Sequence, residues 1–143
     1  MWGNFQSSQL RIEVKAKADK LRESLVNPQQ LSKWFFPLQI KLNHVSDTFQ
    51  QGDRFITSLG LLEIDNQVDL INDNCLRLIL SKGIDGYQEW IWGDGWIQSR
   101  LEGISLLPIN LAQTFNLLRL REFVREKDED KSAENNYKQN DGG

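Results

Sequence analysis

In 143 residues the chain has a single cysteine, Cys75, a single histidine, His44, one methionine and three prolines. One thiol excludes an internal disulfide and fits a reducing compartment. A lone imidazole with no cysteine near it offers neither metal-ligand spacing nor a base for a nucleophile. His44 therefore reads as a loop-end or surface residue, and no metal or cofactor is expected. No apolar run approaches the ~20 residues needed to cross a bilayer. A basic amphipathic surface helix is missing too, because the last helical pattern ends rich in acids. No stretch near the start has the zones of a signal peptide, so a cytoplasmic location is expected. Gly93-Asp94-Gly95 lacks the following lysine and helix of a phosphate loop.

An excess of positive charge is lacking as well. The formal net charge is -3, and from Glu126 onward six acids face three lysines. The tail thus carries the whole net charge, and the neutral body has no basic stripe for a phosphate backbone. Nucleic acid is not an expected partner. What remains is an ordinary globular composition, 39% hydrophobic and 26% charged, sized for one domain. It carries five tryptophans, more than packing alone requires in a chain of this length.

Residues 1–8 read as a loose lead-in, 9–127 as the domain and 128–143 as a disordered acidic tail. From Leu10 the pattern alternates, with Ile12, Val14 and Ala16 on one side and Arg11, Glu13, Lys15 and Lys17 on the other, which predicts a strand. Asp19 to Val26 switches to helical spacing. Asn27-Pro28 is a cap followed by a first-turn proline, opening a second short helix through Leu31 to Trp34 that Pro37 stops. Strands are predicted through Leu38–Leu42, Phe55–Leu59, Ile64–Ile71 and Leu76–Ser81, with a turn at Asn72-Asp73-Asn74 and a loop over Gly83–Gly86.

Asp94-Gly95 between two aromatic runs predicts a two-residue hairpin of the type I′ kind. With those two as the loop, Trp92 faces Ile97, Trp90 faces Ser99 and Gln88 faces Leu101, all on one inward face. Glu89 and Arg100 form an opposite-charge pair on the other face, with Ile91 opposite Gln98. Pro108 introduces a helix over Ile109–Lys127 with two apolar sides. Leu111, Phe115 and Leu118 lie on one; Ile109, Ala112, Leu120, Phe123 and Val124 lie on the other.

The stretch from Lys15 to Pro37 contains Leu25-Val-Asn-Pro-Gln-Gln-Leu-Ser-Lys-Trp-Phe-Phe-Pro37, which fits L-x-(D/N)-P-x-x-L-x-x-W-x-x-P. This resembles the opening of the START-like superfamily, also called SRPBCC or polyketide cyclase/dehydrase-like. Gly103-Ile-Ser-Leu-Leu-Pro onward to Phe123 is similar to its closing strand and helix. The resemblance covers about residues 9–127. It implies an α+β helix-grip fold, with about seven antiparallel strands curved around a long C-terminal helix and two short helices after the first strand. It also implies a cavity for lipids, hormones, pigments or polyketides. Some members are enzymes, many are carriers, and some bind proteins such as chaperones. The His, Asp or Tyr set that would mark a cyclase is not found here.

The acid pairs Asp65 with Asp69 and Asp85 with Glu89 fall in solvated contexts, and nothing around Cys75 depresses a thiol pKa. The aromatics carry the functional reading. Trp34, Phe35 and Phe36 are placed at the cavity mouth. Trp90, Trp92, Phe55, Phe115 and Leu118 line its wall, and Gln88 and Ser99 are the inward polar groups that orient a ligand. These rings either line a cavity or fill a core. Three functions follow in order. The first is a carrier for a hydrophobic small molecule such as a lipid, isoprenoid or pigment. The second is a protein-interaction or assembly scaffold, docking through the second helix side or through Trp2, Phe5 and Trp96. The third is a cyclase- or hydratase-type enzyme, for which Gln88, Ser99 and Asn66 are the available polar groups.

Overall fold

A computed structural model describes residues 4–35, 38–41, 47–105 and 113–125. The elements run β1 (Asn4–Glu13), α1 (Ala18–Val26), α2 (Pro28–Trp34), β2 (Gln39–Lys41), β3 (Arg54–Leu59), β4 (Leu62–Ile71), β5 (Cys75–Lys82), β6 (Ile84–Gly93) and β7 (Trp96–Ser105). A C-terminal helix, α3, occupies 113–125. The seven strands form one curved antiparallel sheet in the order β1-β7-β6-β5-β4-β3-β2. The inner face is gripped against the helices, which is the helix-grip architecture.

The hairpin β6–β7 has the register that its turn dictates. Trp92 lies opposite Ile97, Trp90 opposite Ser99, Gln88 opposite Leu101 and Glu89 opposite Arg100. Trp90, Trp92, Ile97, Ser99 and Leu101 are all buried on the inner face. Asn27 caps α2 as its position suggests, its Oδ1 accepting from the backbone N–H of Gln29 at 3.0 Å and of Gln30 at 3.2 Å.

Four local expectations are corrected. β1 starts at Asn4, so residues 4–8 belong to the sheet; its inward Gln6 and Ser8 are polar, which hides the alternation. Residues 84–86 are strand, because Gly86 sits opposite Gly103 where β6 and β7 come close. A Cβ on Gly86 would run into the Glu102 carbonyl. At the β6–β7 turn only Gly95 has a positive φ, 82°, so the turn has the type II pattern rather than I′. Finally, Glu89 and Arg100 face each other but bind elsewhere. Glu89 lies 3.7 Å from Arg77 and Arg100 lies 3.3 Å from Glu102.

That turn also holds the first helix. Asp94 Oδ1 accepts the Ala18 backbone N–H at 2.8 Å, supplying the cap that Lys17 does not. Backbone bonds from Val14 N–H to the Gly95 carbonyl (3.0 Å) and from Gly95 N–H to the Ala16 carbonyl (2.9 Å) lock the crossover against it. The turn explains Gly95, the close approach of the Trp96 ring explains Gly93, and the helix cap explains the carboxylate.

Candidate interior binding site

The inner face of the sheet is a wall of large rings broken by a few neutral polar groups. Period-2 alternation carries Gln88, Trp90 and Trp92 of β6 to this face, next to Ser99 of β7. Trp90 and Trp92 are 0% and 1% exposed. Phe35 packs edge-on against Trp90 at 5.9 Å between ring centres and against Trp34 at 5.5 Å. Trp34 is held in place by its Nε1–H, which donates to the Ser24 carbonyl at 2.9 Å and pins α2 to α1. Toward the far strands, Phe55 stacks on Phe49 at 4.9 Å. Beside them Asn66 Nδ2 donates to Thr57 Oγ1 at 3.1 Å and to the Ile64 carbonyl at 3.1 Å.

Helix α3 closes this layer with Leu117, Leu120 and Val124, all buried, and with two buried amides, Gln113 and Asn116. Gln113 Nε2 donates to the Ser99 carbonyl at 2.8 Å and to Ser99 Oγ at 3.0 Å, with a longer bond of 3.3 Å to the Ser8 carbonyl. Those backbone acceptors fix which end of the amide is nitrogen, so Oε1 points the other way. It has no partner, and neither do the indole N–H groups of Trp90 and Trp92. The side chain of Gln88, 5% exposed, makes no hydrogen bond to the described residues.

Of the residues expected at the site, Trp34, Phe35, Phe55, Gln88, Trp90, Trp92 and Ser99 are all buried in the interior. Phe55 is set apart from the Trp34–Phe35–Trp90 chain, on β3 beside Phe49. Phe115 and Leu118 do not belong with them. They are 46% and 39% exposed on the outward side of α3, because the stripe Gln113–Leu117–Leu120–Val124 is the one that packs inward. Phe36, His44, Leu111, Trp2 and the tail 128–143 lie outside the described residues. Gln113, Asn116 and Phe49 are buried in the same interior and were not among the residues expected there. The amides could have been found by extending the Leu120–Val124 stripe back by two turns.

The outer face has different chemistry. Lys82 pairs with Asp65 at 3.1 Å, Lys41 with Glu63 at 2.8 Å, and Arg77 with Asp69 at 2.8 Å, so Asp65 and Asp69, the first acid pair noted in the sequence, are solvated ion-pair partners. A groove of about 370 Å³ on this face is lined by Lys41, Ile56, Asp65, Ile79 and Lys82, and both lysines in it are already paired. Burial, followed by the nearby Glu89 carboxylate, pushes the Cys75 thiol above its ordinary pKa, which keeps it protonated. Trp96 lies under the Arg11 guanidinium at 4.3 Å rather than free for docking. No helix among the described residues is long and apolar enough to cross a membrane, and no acid, His and Cys cluster there has metal-binding composition.

Neither a family model nor a curated protein sequence matches the chain. Solved structures do match in fold. An AHSA1-like protein from Aeromonas hydrophila superposes with a TM-score of 0.66 at 10% identity, over 86% of this chain and 94% of that one. The Aha1 dimer from Colwellia psychrerythraea gives 0.59 at 16% identity, over 82% and 94%. DynU16, a protein of the dynemicin biosynthetic locus, gives 0.63 at 15% identity over 83% of this chain. The chain spans only about half of DynU16, 47% of its length. At these identities the likeness is one of fold.

Proposed function

We propose that this protein binds a hydrophobic small molecule between the inner face of the sheet and α3, acting as a carrier or binding domain rather than through an ionised catalytic group. The observation that carries this reading is the make-up of the interior. A continuous ring wall, Trp34–Phe35–Trp90, adjoins Gln88, Ser99, Gln113 and Asn116, all neutral and all buried. Rigid aromatics give contact area at low entropic cost, and a few fixed polar groups set orientation. Every buried polar residue among those described is uncharged, which suits an uncharged guest. The fold shared with a protein of a biosynthetic locus supports the same direction.

Native mass spectrometry of the protein purified gently from its host tests this. A companion mass that disappears on denaturation, and that is absent from a Trp90→Ala/Trp92→Ala variant, is the expected result. An unliganded mass, together with no displacement of an apolar fluorescent probe, would overturn it.

A second reading rests on the outward pair Phe115 and Leu118, large apolar side chains exposed on α3. Such a pair suits a protein partner, in line with the fold shared with Aha1- and AHSA1-like proteins. Replacing both with serine should remove a stoichiometric partner and leave small-molecule binding intact. If the partner persists on the double variant, α3 is not its docking face.

A further inference from the structure

Four buried side-chain polar atoms among the described residues have no hydrogen-bond partner: Arg22 Nε, which lies 3.9 Å from the Asp73 carboxylate, and Trp90 Nε1, Trp92 Nε1 and Gln113 Oε1, whose residues are 0%, 1% and 1% exposed. The last three belong to one patch of the interior. Trp90 and Trp92 are successive inward residues of β6, and Ser99, which holds the Gln113 amide, lies directly opposite Trp90. Each group lacks a partner, so none of the three satisfies another.

A buried polar group left unpaired is costly, and a native interior carries few of them. Tryptophan is a donor only, so two indole N–H groups side by side on one strand ask for an acceptor oxygen. An apolar side chain such as phenylalanine carries no donor and would avoid that cost. The charge of the acceptor is set by the surroundings. The buried polar set among the described residues, including Asn66, Gln88, Ser99 and Asn116, holds no cation to balance a carboxylate or phosphate. Resting on the carrier reading, we propose that the guest is a neutral apolar molecule bearing a carbonyl oxygen, received by the indole N–H groups of Trp90 and Trp92. Gln113 Oε1 is the acceptor available on the same patch for a hydroxyl of that guest.

The test uses the full chain, labelled with ¹⁵N at tryptophan, and two probes of matched shape: 2-acetylnaphthalene and 2-isopropylnaphthalene. The ketone should bind about tenfold tighter than the hydrocarbon and shift the indole resonances of Trp90 and Trp92 downfield; tenfold corresponds to about 1.4 kcal/mol. Trp90→Phe and Trp92→Phe should each shrink the ketone-over-hydrocarbon ratio toward one, the ratio being read within each variant so that any common loss of ring contact cancels. Equal affinity for the two probes, or binding of the ketone with both indole resonances unmoved, overturns the carbonyl site but leaves the carrier reading standing. If neither probe binds, both fall together. A ketone-over-hydrocarbon ratio that stays at its original value in both phenylalanine variants would show that the rings matter only as packing, which also overturns the carbonyl site.

Discussion

Trp34 and Trp90 are both buried indoles, yet only one has its N–H satisfied. Trp34 donates to the Ser24 carbonyl and so ties the two short helices together. Trp34→Phe removes the bond, leaves that carbonyl short of a donor, and should cost about 1–3 kcal/mol in urea unfolding. Trp90→Phe removes a donor that has no acceptor, so its cost in the unliganded protein should be clearly smaller. An equal loss for the two would mean that the Trp90 N–H is satisfied after all. Lys82 is the single non-glycine residue with positive φ among those described, at 71°, and its ion pair with Asp65 is largely exposed. Left-handed backbone costs such a side chain about 1 kcal/mol or more, while an exposed pair is worth little. Lys82→Gly should therefore raise stability by about 0.5–1 kcal/mol. A drop in Tm would show that the Asp65 pair outweighs the backbone.

At the scale of elements, the β6–β7 turn serves two structures at once. Asp94→Ala should cost about 1 kcal/mol by uncapping α1, and amide exchange should quicken in residues 18–21 rather than in the hairpin. Faster exchange confined to the hairpin would place the role of Asp94 in the turn alone. The register of this hairpin was legible because a two-residue loop fixes parity, and parity decides which face every later side chain takes. The second role of Asp94 was not legible, since its partner Ala18 is 76 residues away and backbone N–H groups carry no sequence signature. The faces of α3 were equally ambiguous. Phe115 with Leu118 and Leu120 with Val124 form rival apolar stripes, and only tertiary packing, with Leu117, Leu120 and Val124 buried and Gln113 bonded to Ser99, decides between them. Asn27-Pro28 was read correctly because its chemistry is local. Of the interior site, the β6–β7 wall and the Trp34–Phe35 pair were visible in the sequence. The amides of α3 were not, because a polar residue on an apolar stripe looks like the edge of the stripe.

For the whole molecule, the edge strand β1 is fastened across three strands by one carboxylate. Glu102 of β7 accepts from the Tyr87 hydroxyl of β6 at 2.9 Å and from the Ser7 hydroxyl of β1 at 3.0 Å. Those bonds, Tyr87 first and Ser7 next, hold the Glu102 carboxyl below the ordinary carboxylate range. A depressed folded-state value means that the contribution to stability is fully present above the unfolded value of about 4.3. It is lost as pH falls through the lower folded-state value. Amide protection of β1 should therefore weaken in acid, and Glu102→Gln should weaken it at neutral pH and flatten the acid dependence. An unchanged acid profile in that variant would assign the titration to another group. The same sheet closes the chain on itself, pairing its first described strand with its last; Gln6 bonds to the Ser105 carbonyl across 99 residues. Closing so long a loop is entropically dear and comes before any reward from the pairing, so the native sheet forms late and slowly. During synthesis β1 leaves the ribosome long before β7 exists to receive it. For that interval its ten residues are a ready template for foreign strands, and the polar Gln6, Ser8 and Gln9 along it make it a poor one.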